Sequence, residues 1–135
     1  MKPQSPGMLP IALMVDNAEL DAQHDGLFSL IERLKAEAMA AGSLPPEVLY
    51  DLAKRFEDHF ATEERLAREA NIEFLVHGEE HAKNLRLLHK AVGEIGAGKL
   101  DLHTFLRYLE YWFEQHITGY DRRFAARLAD AKIRH

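Results

Sequence analysis

The chain is expected to be all-α: an up-down-up-down antiparallel four-helix bundle with an N-terminal arm and a short C-terminal helical tail. Three observations predict this. Apolar residues recur at helical spacing in four stretches of about 20 to 25 residues. Gly42-Ser43-Leu44-Pro45-Pro46, Asn71-Ile72-Glu73 and Gly96-Ala97-Gly98 break them apart. No run of alternating β-branched residues, internal repeat or low-complexity tract competes with that reading. Long helices with short connections pack as such a bundle. At 135 residues one domain is expected, with an extended arm over 1–16, the bundle over 17–121 and the tail over 122–135.

The elements follow in order. Three prolines and a glycine in residues 1–16 favour an extended arm. Its apolar run 8–15 follows a single lysine and is far too short to cross a bilayer. It also lacks the charged start and cleavage site of a secretory signal, so the arm is expected to pack on the domain in a cytoplasmic protein. Asp21 is the expected N-cap of a first helix to residue 41, with His24 in its first turn and Leu27, Leu30, Ile31, Leu34 and Ala38 as its stripe. The second helix is expected over 46–70, since proline is tolerated in a first turn. A third is expected over 74–95, and a fourth from near Asp101 toward His116, after which the charged, alanine-rich tail continues as helix.

Composition narrows the chemistry. A formal charge of −5 leaves no basic excess for nucleic acid or an anionic membrane. The absence of cysteine rules out disulfides, thiolate clusters and a cysteine nucleophile. A metal would therefore be held by histidine nitrogen and carboxylate oxygen, which suit zinc, iron, copper or manganese.

The stretch 59–81, HFATEERLAREANIEFLVHGEEH, carries two such pairs. His59 and Glu63 are four apart, as are His77 and His81, and residues i and i+4 share a helix face. His24 upstream, and His116 with Asp121 downstream, bring the set to five imidazoles and two carboxylates, which suits a pair of iron ions. A carboxylate can give one oxygen to each of two ions, so Glu63 and Asp121 are the natural bridges. Five imidazoles then divide three to two, which leaves the poorer ion with an open position. Zinc, which prefers four ligands, would not need seven. His116 and Asp121 are five apart, about 140° round a regular helix, so a π-type distortion is expected over 116–121, eased by Gly119. Leu27, Phe60, Phe113 and Ile117, within a turn of these ligands, are the expected apolar wall of a ligand pocket. His89, His103 and His135 fall at no such spacing and read as ordinary surface or core.

The order His24, HxxxE, HxxxH, HxxxxD resembles the signature of the hemerythrin family, and DAQHDGLF, DHFATEE, HGEEH and YWFEQHITGYD resemble its bacterial members over roughly residues 15–125. The resemblance implies an oxo- or hydroxo-bridged, non-haem di-iron centre that binds dioxygen reversibly. It assigns His77, His81 and His116 to one iron, His24 and His59 to the iron with the open position, and Glu63 and Asp121 to the bridge. Storage, transport or scavenging of dioxygen is thus expected rather than catalysis. The same centre could instead serve an enzyme acting on nitric oxide or peroxide, or a sensor of oxygen or iron acting through a partner chain.

Overall fold

A computed structural model describes residues 9–134. The path is helical throughout: α1 (Ala18–Ala41), α2 (Pro46–Glu69), α3 (Leu75–Gly96), α4 (Leu102–His116), a π-helical turn (Ile117–Asp121) and α5 (Arg122–Arg134). No strand occurs among the described residues. α1 packs on α2 and α4, and α2 packs on α3. The core between them is filled by Leu20, Ile31, Leu34, Leu52, Phe56, Leu106, Phe113 and Ile117, all essentially sealed from solvent. None of these helices is long and apolar enough to cross a membrane.

Helix ends follow local chemistry, with one correction. Asn17, not Asp21, caps α1: its backbone is extended and its Oδ1 accepts the amide of Leu20 at 3.0 Å. Asn17 lies one turn upstream of Asp21, and the helix-forming residues between them extend the helix back to it. His24 therefore stands in the second turn. Asp21 is turned to another use, accepting the amide of Val15 at 2.9 Å and so holding the arm to α1. Pro46 opens α2 where its missing N–H costs nothing, and Asp101 caps α4 by accepting from Thr104 at 2.9 Å.

The expectation for the arm needs qualification too. Residues 1–8 lie outside the described residues, and Ile11–Leu13 form a 3-10 turn rather than an extended run. Leu13 and Val15 are buried, Leu9 donates its amide to Asp25, and the carbonyl of Ala12 accepts from Arg122.

Gly42 ends α1 at φ +80°, with its amide donating to the carbonyl of Ala38. A side chain at Gly42 would meet no atom within 4 Å, so only the left-handed backbone resists substitution. Gly42→Ala is expected to lower stability by about 1 kcal/mol, read as a shift in the urea midpoint at unchanged m-value.

Candidate metal centre

Each element brings its part of the cluster inward. His24 comes from α1, His59 and Glu63 from successive turns of α2, and His77 and His81 from successive turns of α3. His116 ends α4, and Asp121 ends the π turn. The distortion over 116–121 is thus present. One added residue in the turn returns Asp121 to the face of His116, and their facing atoms, Nε2 and Oδ1, lie 3.3 Å apart. Carbonyls near the widened turn find other donors: Thr118 Oγ1 donates to the carbonyl of Glu114, and Arg123 to that of Gly119. Gly119 itself has no positive φ, and a Cβ there would touch nothing within 4 Å, so the turn does not depend on glycine sterically.

The atoms that could hold a metal sort into two groups that share both carboxylates: Glu63, His77, His81, His116 and Asp121 in one, His24, His59, Glu63 and Asp121 in the other. The division runs through each carboxylate. Glu63 Oε1 lies 3.0 Å from His81 Nε2 and 3.3 Å from His77 Nε2, while its Oε2 faces His59 Nε2 at 3.4 Å. Asp121 Oδ1 lies 3.3 Å from Nε2 of both His77 and His116, while its Oδ2 faces His24 at 3.0 Å and His59 at 3.8 Å. Two donors bound about 2.1 Å from one ion at right angles are about 3 Å apart, so most of these separations are compatible with a coordination shell. Nε2 of His59, His77, His81 and His116, both oxygens of Glu63 and Oδ1 of Asp121 are buried without a hydrogen-bond partner. Buried polar atoms left unpaired cost about 1–3 kcal/mol each. A cation among them would satisfy all at once, and the donor set fits a metal ion.

Burial also governs protonation. It drives the Glu63 carboxyl well above the usual carboxylate range, with the charge of Asp121 adding to the effect. Burial pushes Asp121 the same way, but His116, His24, His59 and His77 outweigh it and hold that carboxyl well below its ordinary value. Burial lowers His59, and lowers His81 to about 2 with His77 and His116 reinforcing it.

His81 stays neutral in the folded metal-free chain and burial shifts His59 the same way, while the unfolded chain takes up protons on both below about pH 6.5. Their contribution is whole above that value and falls away as pH drops. Glu63 opposes it, because the folded state keeps a proton that the unfolded state loses above about pH 4.5. Two histidines against one carboxyl leave a net uptake on unfolding of about one proton, so metal-free stability is expected to fall by about 1.4 kcal/mol per unit between about pH 6 and 5. Urea melts at the two pH values check this, and a flat profile contradicts it.

The surroundings are apolar and aromatic. Leu27, Phe60, Phe113 and Ile117 are all buried. Phe113 stands edge-on to His24 at 5.5 Å and to His59 at 6.3 Å, on the two-imidazole side. Phe60 stacks flat on His81 at 3.9 Å. Trp112, which reads as plain core, stacks on His116 at 5.1 Å, and Tyr120 stacks on the same ring at 5.3 Å. A cleft of about 280 Å³ outside His59 is lined by Gln23, Gly26, Leu27, Arg55, Asp58 and His59.

One partner of the cluster escapes sequence reasoning. The residues beside the ligands that might orient an imidazole point elsewhere: Glu64, Glu79 and Gln115 are exposed, Glu80 accepts from Asn84, and Asp25 accepts from Leu9. Gln23 does it instead, its Oε1 lying 2.7 Å from Nδ1 of His59. The one sequence signal is its place just before His24, about 100° round α1 and so turned toward a neighbouring helix. His89 is exposed and His103 half-buried, neither joins the two groups, and His135 lies outside the described residues. No family model matches this chain, and neither does any curated protein or solved structure.

Proposed function

We propose that the chain is a di-metal carrier: an up-down-up-down antiparallel bundle whose buried cluster holds two ions of one kind. More particularly, we read the ions as iron and the protein as a hemerythrin-like binder of dioxygen. The observation that supports this best is the split of both carboxylates, one oxygen of each turned to the group with three imidazoles and the other to the group with two.

Two iron ions there would supply two one-electron donors side by side for a reversible exchange with a small ligand. The protein's share is position and exclusion. His77, His81 and His116 crowd one side of the cluster, whereas His24 and His59 leave the other short of a donor. A small ligand is therefore taken up beside His24 and His59. Phe113 against those two rings, with Leu27 near His59, keeps that side apolar, so water and departing anions are disfavoured there. Five imidazoles to two carboxylates also favour binding over oxidation, since ferritin-like oxidases use mostly carboxylates.

Anaerobic loading with ferrous iron, iron counting, and then cycles of air and vacuum test the reading. Two irons per chain and a visible band that appears in air and fades on deoxygenation are expected. A band that forms once and never reverses would mark a redox enzyme acting on nitric oxide or peroxide, or a single-use sensor. Iron near zero would overturn the metal assignment.

A further inference from the structure

We propose that Gln23 is a positioning residue: it locks His59 in the Nδ1–H form and aims its Nε2 lone pair into the two-imidazole side of the centre. The proposal rests on the two-ion reading above. What carries it is a directional chain of hydrogen bonds between α1 and α2. Its far end is the backbone carbonyl of Asp58, which can only accept. The Thr62 hydroxyl donates to that carbonyl at 3.1 Å, and this uses its single proton. Thr62 Oγ1 is left to accept, and Gln23 Nε2 donates to it at 3.0 Å.

The Gln23 amide is thereby oriented with Oε1 toward Nδ1 of His59, at 2.7 Å. An amide oxygen only accepts, so Nδ1 carries the hydrogen and Nε2 the lone pair. That Nε2 faces Glu63 Oε2 at 3.4 Å and Asp121 Oδ2 at 3.8 Å. Starting from the carbonyl, every step has one allowed direction.

The lock is also selective. Nδ1 of His24, His81 and His116 is buried with no hydrogen-bond partner, so among these four imidazoles only His59 is held from outside by a side chain. An imidazole with such a partner is a stronger base and is already oriented, and losing the partner typically costs 10–100-fold in metal affinity. Here that support goes to the ion with fewer imidazoles, and so to the side where a small ligand would be taken up.

Cobalt(II) titrations of the full chain under argon, in the wild type and in Q23L, Q23E and T62V, test this. Q23L is expected to weaken the second, weaker equivalent by about 10- to 100-fold and leave the first unchanged. Q23E keeps an acceptor at the same place and is expected to restore the second equivalent. T62V frees the amide without removing it and is expected to fall between. Nitrogen-15 spectra of the zinc-loaded wild type should show the His59 ring hydrogen on Nδ1, slow to exchange with solvent.

Equal weakening of both equivalents by Q23L, no weakening at all, or an Nε2–H tautomer overturns the proposal. If Q23L does not fold, T62V and the wild-type spectrum decide it in the same way. A wild type that takes up fewer than two ions overturns the two-ion reading, and the proposal falls with it. Two ions with an unmoved second equivalent in Q23L overturns the proposal alone.

Discussion

Replacing Glu63 by leucine is expected to make the metal-free chain more stable and to abolish the two-ion centre proposed above. The two effects have one cause. Glu63 is sealed from solvent, and neither of its oxygens has a hydrogen-bond partner. Burial already pushes its carboxyl toward the neutral form. Leucine fills a similar volume and removes the two unpaired oxygens of Glu63 itself, so the metal-free fold should gain about 1–3 kcal/mol. Each of the two groups simultaneously loses one of its two carboxylate oxygens. Bound iron should fall from two per chain to one or none. Urea melts of the metal-free forms, paired with iron counting, check both halves. A leucine variant less stable than the wild type without metal would show that the carboxylate serves the fold and not the site.

Loading the wild type with ferrous iron is expected to stabilise the chain by several kcal/mol. At free iron a thousandfold above Kd, each ion that binds only the folded state adds about 4 kcal/mol. Two such ions should raise Tm by on the order of 20 °C for a chain of this size. Magnesium, which prefers oxygen ligands and keeps its water, should leave Tm unmoved. A chelator should return the melt to its metal-free position. An iron-loaded melt that coincides with the metal-free one would remove the cluster from consideration as a metal centre.

The parts of this molecule legible in its sequence are those set by distance along one helix. His59 with Glu63, and His77 with His81, are pairs whose shared face follows from helical geometry alone. The π turn was readable because five-residue spacing cannot be met by a regular helix. Outside the ligand set that the family resemblance supplied, contacts that depend on a neighbouring helix were not readable. Gln23 reaches His59 only because α1 and α2 pack together, and no periodicity announces that contact. Trp112 falls on the stripe of α4 like any core residue, and only the packed structure lays its ring on His116. The start of α1 was misplaced because Asn17 and Asp21 are near-equal caps one turn apart, and sequence alone cannot rank them.

The turn at Ile117–Asp121 also keeps the last part of the chain in phase with the first. Buried positions run Leu102, Leu106, Leu109, Phe113, Ile117, Asp121, Phe124 and Leu128, one per turn from α4 into α5. Seven turns of α-helix take up about 25 residues, and Leu102 to Leu128 spans about 26. A uniform rod would spread that excess as a slow drift of its apolar seam around the helix. Here one surplus residue is absorbed in a single turn, so the seams of α4 and α5 line up as two straight segments. The same irregularity that brings Asp121 to His116 thus also sets the angle at which Phe124, Ala125 and Leu128 meet the core.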